Sequence, residues 1–247
     1  MPQLQALNKS LIIFLTLSSV FFAAPILAEE APYPPRSIKG LFELDLFTQV
    51  LTRRVVEEPN PGENFEADAD STRVLARLGI KPVKPLELYV QAGTANLNID
   101  DFNDYRGDFS FAYGGGLKLT IYEQPGFNRF RLALSGDILT YTTNDTVLTN
   151  LGLAKEEIEW TEYTAVGAGT WRAQNWEPYI GLRFSWLDST DNIKDPINRK
   201  LDLRADSNVG IMAGTNVFLD PRENVALNLE ATLIDQASFK IGLKLWY

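Results

Sequence analysis

The chain has 247 residues, 23 Lys and Arg against 32 Asp and Glu, a formal net charge of −9, no cysteine and no histidine. So acidic a chain is not held to nucleic acid or to an anionic surface by bulk charge. Without cysteine there is no disulfide or thiolate metal site, and without histidine the commonest general base and metal ligand is missing, so serine–histidine and aspartate–histidine hydrolytic sites cannot be built and neither catalysis nor a cofactor is expected.

Lys9 precedes an apolar run from Leu11 to Ala28 that contains Pro25. A short basic region, an apolar core and a small final residue form a secretory signal pattern. Residues 1–28 are therefore read as a cleaved signal peptide. Its removal leaves 247 − 28 = 219 residues starting at Glu29, with net charge −10 once Lys9 is gone. Residues 29–39, with Pro32, Pro34 and Pro35, read as an extended leader.

From residue 40 onward, ten segments of about nine to fifteen residues show the period-two pattern of strands. The first, 40–53, sets Phe42, Leu44, Leu46 and Val50 against Glu43, Asp45 and Gln49. The second, 71–81, sets Val74, Leu78 and Ile80 against Arg73 and Arg77. The third, 86–97, sets Leu88 and Val90 against Glu87, Tyr89 and Gln91. The fourth, 109–122, sets Phe111, Leu117 and Leu119 against Gly114, Gly116 and Lys118. The fifth, 129–141, sets Leu132, Leu134 and Ile138 against Arg131, Ser135 and Asp137.

The sixth segment, 157–171, is irregular. Ile158 and Trp160 share a face with Glu162, which lipid would not tolerate, so a bulge or a late insertion into the membrane is expected there. The seventh, 176–187, sets Ile180, Leu182, Phe184 and Trp186 against Tyr179, Gly181 and Arg183. The eighth, 208–219, sets Val209, Ile211 and Val217 against Gly210, Gly214 and Asn216. The ninth, 225–233, sets Leu227 and Leu229 against Asn228 and Glu230. The last places Phe239, Ile241, Leu243, Leu245 and Tyr247 on one face, with Lys240, Gly242, Lys244 and Trp246 on the other.

Segments of this length suit strands tilted across a membrane, which need about ten residues. An even number of them closes into an antiparallel barrel, all-β, with residues 40–247 as its domain and the last strand against residues 42–50. The connections alternate. Long ones at 56–70, 98–108, 142–156 and 188–207 are read as external loops. Short ones at 82–85, 123–128, 172–175 and 220–224 are read as periplasmic turns, which makes 29–39 a periplasmic leader. Only the last hairpin, near 235–237, is a short outer connection. The loop at 56–70 holds six acids and no Lys or Arg. In the next, Arg106-Gly107-Asp108 is an adhesion-type tripeptide of a kind that arises often by chance, and Asp100, Asp101, Asn103 and Asp104 read as a solvated acidic loop. Tyr122, Phe127, Trp171, Trp176 and Tyr247 form an expected periplasmic aromatic belt, with Phe109, Tyr141, Trp160 and Trp186 as the outer one.

The stretches LELYVQAG, FAYGGGLKL, EPYIGLRF and SFKIGLKLWY, together with the signal pattern, resemble the outer-membrane β-barrel superfamily, in the group of small OmpA-like and OmpX-like bacterial barrels. That resemblance implies a bacterial outer membrane and contact with its lipids. It also implies recognition of the last strand by the barrel assembly machinery, through Phe239, Ile241, Leu243, Leu245 and Tyr247. The best-known small members have eight strands where ten are counted here, and twelve is the other alternative. The expected lumen lining is Glu43, Asp45, Arg73, Arg77, Glu87, Lys118, Arg131, Asp137, Arg183, Glu230, Lys240 and Lys244. Ten strands lie near the filled end of the barrel range. The expected function is a barrel with a mostly occluded, charge-lined lumen and acidic external loops, in a structural or surface-interaction role. The alternatives are a narrow porin-like channel for ions or small solutes, and a soluble lipocalin-like ligand-binding barrel. The oligomeric state stays open.

Overall fold

Alternation of apolar and polar residues makes strands here, and closure of those strands makes the molecule. The computed structural model describes residues 41–60, 63–100, 104–125, 129–149, 152–194 and 199–247. The expected signal peptide and leader, and Phe127 of the periplasmic belt, lie outside these residues. Among them are β1 (Phe42–Asn60), β2 (Glu63–Val83), β3 (Leu86–Asp100), β4 (Tyr105–Glu123), β5 (Phe130–Thr149) and β6 (Gly152–Trp171). There follow β7 (Trp176–Lys194), β8 (Arg199–Ala205), β9 (Val209–Phe218), β10 (Val225–Leu233) and β11 (Ala237–Trp246).

Ten of these, all but β8, form a closed antiparallel ring. β1 closes against β11 from Glu43↔Trp246 to Thr52↔Ala237. Closure matters because no strand edge is left to face hydrocarbon. Outside the ring lies a band of exposed apolar side chains, with Val90 63% exposed, Phe111 65% and Ile121 59%. Inside it many of the alternate residues are charged, polar or small, with Phe47, Tyr89 and Tyr179 among the bulky ones. This is the opposite of a soluble ligand-binding barrel, whose apolar face points inward. Small residues let neighbouring strands meet closely. A Cβ at Gly114 would run into the Ile138 carbonyl oxygen of the next strand.

Among the described residues the four long connections are largely strand. Three are continuations of the β1–β2, β3–β4 and β5–β6 hairpins, and the fourth carries β8. β8 pairs with β7 from Ser189↔Leu203 to Ile193↔Arg199, and with β1 from Val55↔Ala205 to Glu57↔Leu203. β9, β10 and β11 stop below this level. The ring of ten strands therefore narrows outward to a tier built of β1 to β8, eight strands. In that tier the β4–β5 seam is carried by side chains. The Arg106 N–H donates to Asp145 Oδ2 at 2.7 Å, and the Tyr105 hydroxyl donates to Thr143 Oγ1 at 2.7 Å.

In the outer tier the two faces exchange character. Val55, Ala69, Leu97, Ile99, Ile158 and Leu203 point inward and are buried, with Tyr105 and Trp160 fully so. Arg54, Glu66, Asp68, Asp100, Lys155, Glu159, Asp202 and Arg204 point outward and are exposed. The tier is thus mainly apolar inside, with Glu156, Asp191 and Thr143 buried among the apolar residues, and charged outside. Of the two readings of β6, a bulge or a late insertion into the membrane, the second remains: β6 runs in unbroken register against both neighbours, with no bulge at Ile158–Glu162. The outer-belt expectation is corrected. Tyr141 and Trp160 do not join the outer aromatic belt; they are buried inside and stack at 6.2 Å. The outer belt is made by Phe109, Phe111, Tyr113, Tyr163 and Trp186, all exposed on the outside. The adhesion-type tripeptide also lies in a strand rather than a loop. Gly107 is buried within β4, and Arg106 is paired with Asp100 at 2.7 Å, which holds its guanidinium above the ordinary range.

The position of the membrane follows from this change of faces. Val90→Arg should destabilise the folded barrel by about 2–4 kcal/mol, the cost of a cation at hydrocarbon depth. Asn144→Arg, exposed on the outer tier, should change stability by no more than about 0.5 kcal/mol. Guanidinium unfolding in liposomes, followed by tryptophan fluorescence, measures both. Equal effects would refute the assigned membrane level.

Candidate functional site: the barrel interior

The inward face of the ten-stranded body divides into three levels. At the inner end, Glu43 accepts from Lys81 Nζ at 3.0 Å and from Trp246 Nε1 at 2.7 Å. Glu87 lies 3.7 Å from the same ammonium. Arg131 donates to Glu177 at 2.9 Å. Arg172 lies 3.8 Å over the Phe218 ring, which stacks on Trp246 at 5.7 Å. This stack lies at the inner end on the β9–β11 side. Lys118 and Lys244 line the cavity above it. Asp45, 2% exposed, sits in register between Arg77 of β2 and Lys244 of β11.

At the middle level Arg77 of β2 lies along the wall, against side chains of its neighbours β1 and β3. Its guanidinium lies 4.2 Å over the Tyr89 ring and 5.5 Å from Phe47, and it donates to Gln91 Oε1 at 3.0 Å. A guanidinium fits between aromatic faces because it is planar and weakly hydrated. Opposite, Glu230 accepts from the Tyr179 hydroxyl at 2.7 Å and pairs with Lys240 at 2.9 Å. Asp137 lines the cavity between these groups. Beside Asp137 and Thr164, the β5 and β6 wall carries the small side chains of Ala133, Ser135, Val166 and Ala168. The interior space, about 200 Å³, is left by those small residues against the bulky opposite wall.

At the outer level a single carboxylate organises three cations. Glu162 accepts from Arg73 Nη2 at 2.8 Å and from Arg183, and Arg53 lies 3.7 Å away. Arg183 also donates to Asp235, which accepts from Ser185 Oγ at 2.8 Å. Arg53 donates to the Ser185 hydroxyl at 2.7 Å. Arg73 lies 5.6 Å from the centre of the Tyr141 ring. The five ionic side chains are at most 9% exposed. Directly outward the interior becomes apolar with Trp160, Tyr105 and Leu97. There burial pushes the Tyr105 phenol up, while its bond to Thr143 pulls the other way.

Eleven of the twelve side chains expected in the lumen line this cavity, and the twelfth, Asp45, is buried beside it. The sequence reading missed Arg53, Glu162 and Asp235. Arg53 shares the odd parity of Glu43 and Asp45, so its inward direction was available. Glu162 had been noticed only as a conflict with lipid. Asp235 sits in a turn, where no periodicity points anywhere. Of the five residues expected to signal assembly, Phe239, Ile241, Leu243 and Leu245 run along the outward face of β11. Tyr247 follows it, 72% exposed, its N–H bonded to the Phe42 carbonyl at 3.1 Å.

Glu162→Gln leaves three buried guanidinium groups without their common partner. It should lower stability by about 3–5 kcal/mol, as breaking buried ion pairs does. Glu66→Gln, which removes an exposed partner of Arg54, should cost at most about 1 kcal/mol. Denaturant midpoints in the same liposomes compare the two, and equal costs would contradict the central place of Glu162.

No protein-family model matches the chain, and no curated protein matches it in sequence. Among solved structures it is similar to the outer membrane protease OmpT from Escherichia coli, at 12% identity over 89% of this chain and 99% of that one, with a TM-score of 0.48. It is also similar to the transport unit of the autotransporter AIDA-I from Escherichia coli, at 12% identity over 97% and 98%, TM-score 0.46. A third is an outer membrane channel from Pseudomonas putida F1, at 10% identity over 90% and 100%, TM-score 0.42. Identities this low carry no activity from those proteins to this one. The closed antiparallel ring, its apolar outer band between two aromatic belts and its charged interior give this chain the form of a membrane-spanning β-barrel.

Proposed function

We propose that this protein is a non-catalytic barrel whose lumen is closed to through-flow, and that it serves as a structural or surface-interaction element of the outer membrane. One observation carries the reading. A tier with a largely apolar interior continues the barrel outward of the polar lumen, with Trp160 and Tyr105 fully buried in it and the carboxylates of Glu156 and Asp191 buried beside them. Water and ions do not cross such a layer, because a desolvated charge in an apolar interior is costly. Below it, the Glu162 cluster occupies the lumen with paired charges. The surface offered to the outside is the charged face of the tier, with acids from β2, β3, β6 and β8. Its partners are the lipids around the apolar band and, during biogenesis, the assembly machinery reading Phe239, Ile241, Leu243, Leu245 and Tyr247.

The runner-up is a narrow channel for ions or small solutes. It is favoured by the free space along the Ala133, Ser135, Val166 and Ala168 wall. Refolding the protein into a planar bilayer and recording current separates the two. The expected result is no stable single-channel steps. Steps that change when Arg73 or Arg77 is replaced by Gln would overturn the closed reading in favour of the channel.

A further inference from the structure

The hairpin turn between β10 and β11 has no counterpart among the other outer hairpins, which rise into the outer tier. It ends where the ring narrows. Leu233 pairs with Ile211, and Ala237 pairs with Thr52. Three residues further along β1, Val55 already pairs with Ala205 of β8. The wall at this point passes from the β10–β11 turn below to the foot of β8 above, and what lies between is the turn itself.

Three observations show that the turn is held down rather than simply short. Ile234 has φ 88°, a conformation that a β-branched residue adopts only under constraint. Its side chain stands outside, 70% exposed, beside Leu233 at 44%. The next residue turns the other way. The Asp235 side chain is fully buried, bonded to Arg183 and to Ser185, and Gln236 follows it inward at 3% exposure. Finally, β9 makes room for the carboxylate. A Cβ at Gly210 would collide with Asp235 Oδ1. A strained backbone, a buried charge and a glycine vacancy all serve to place one carboxylate on Arg183.

Arg183 is also a ligand of Glu162 and lines the cavity. Arg53, on the other side of the turn, bonds both Ser185 and the Ser207 carbonyl at the foot of β8. The turn therefore closes the side of the lumen at the one level where the strand number changes. We propose that the β10–β11 turn is a strap that shuts a lateral exit from the lumen, latched by Asp235 to Arg183 and Ser185. This rests on the reading that the outer tier blocks the axial route. With the latch broken, ions in the cavity leave sideways beneath β8.

The chain has no native cysteine, which permits a clean test. A Cβ at Gly210 would lie 2.7 Å from Asp235 Cγ, the place a cysteine sulfur takes, so Gly210→Cys with Asp235→Cys can form a disulfide. Oxidised, the double variant is bonded shut although Asp235 is gone. Reduced, it has lost the latch. In planar bilayers the oxidised form should be silent like the wild type, and reductant should raise the frequency of openings at least about tenfold. Asp235→Asn, which keeps the shape and removes the charge, should show the same rise without reductant. Heat-modifiable gel migration confirms that each variant is folded. Silence of the reduced double variant and of Asp235→Asn, both folded, would overturn the strap and leave the closed reading standing. Steps in the wild type itself would overturn the closed reading and the strap with it.

Discussion

Pleating keeps one parity of residues inside along a strand until a bulge shifts it, as happens once in β4 between Gly107 and Ser110. What changes along these strands is the medium outside. Below, it is hydrocarbon, so the outward residues are apolar and the inward ones are free to carry charge. Above, it is water, so the outward residues are charged and the inward ones supply a core. Every strand that continues outward makes this exchange at nearly the same level. The architecture follows from it: the charged lumen, the apolar tier above it and the belt of outward aromatics between them.

The exchange creates a boundary inside the barrel as well as outside. At that boundary polar groups meet an apolar layer and must be fully partnered, because no water is available from above. Glu162 and its three guanidinium partners occupy this level. Replacing such a cluster with apolar residues would often be neutral for stability, so stability alone does not explain its presence. It also joins elements that backbone pairing leaves unjoined. Arg53 comes from β1, Arg73 from β2, Glu162 from β6, Arg183 from β7 and Asp235 from the β10–β11 turn. The narrowing from ten strands to eight is bridged by these side chains.

Much of this was legible in the sequence, for a physical reason. Period-two alternation runs unbroken through most of the ring, so strand existence, lumen parity and the pairing of the first strand with the last could all be read. The membrane level was harder. Segments such as 142–149, rich in Thr and Asn, lack the outward apolar residues that announce a strand in lipid, so they read as loops. β8 carries the alternation of Leu201 and Leu203 with Asp202 and Arg204, but over too few residues to stand out. Tyr141 and Trp160 were misplaced for a different reason. Their position at strand ends suggested a belt, while their parity pointed inside: Tyr141 is odd like Arg131 and Asp137, and Trp160 is even like Glu162. Parity is the stronger constraint because violating it would turn a whole strand over. Asp235 was beyond reach, since the side-chain direction of a turn residue depends on the closed structure.

The outer tier has a thermodynamic character of its own. The barrel body exchanges lipid contacts for lipid contacts, and removing a side chain from hydrocarbon releases no water. Leu97, Ile158, Trp160 and Leu203 are buried from water, so their contribution carries the heat-capacity change of apolar hydration. That contribution weakens on cooling and in urea. One continuous set of strands is thus held by two kinds of cohesion. The outer tier loosens in the cold and in chaotropes while the same strands remain fixed a few residues below.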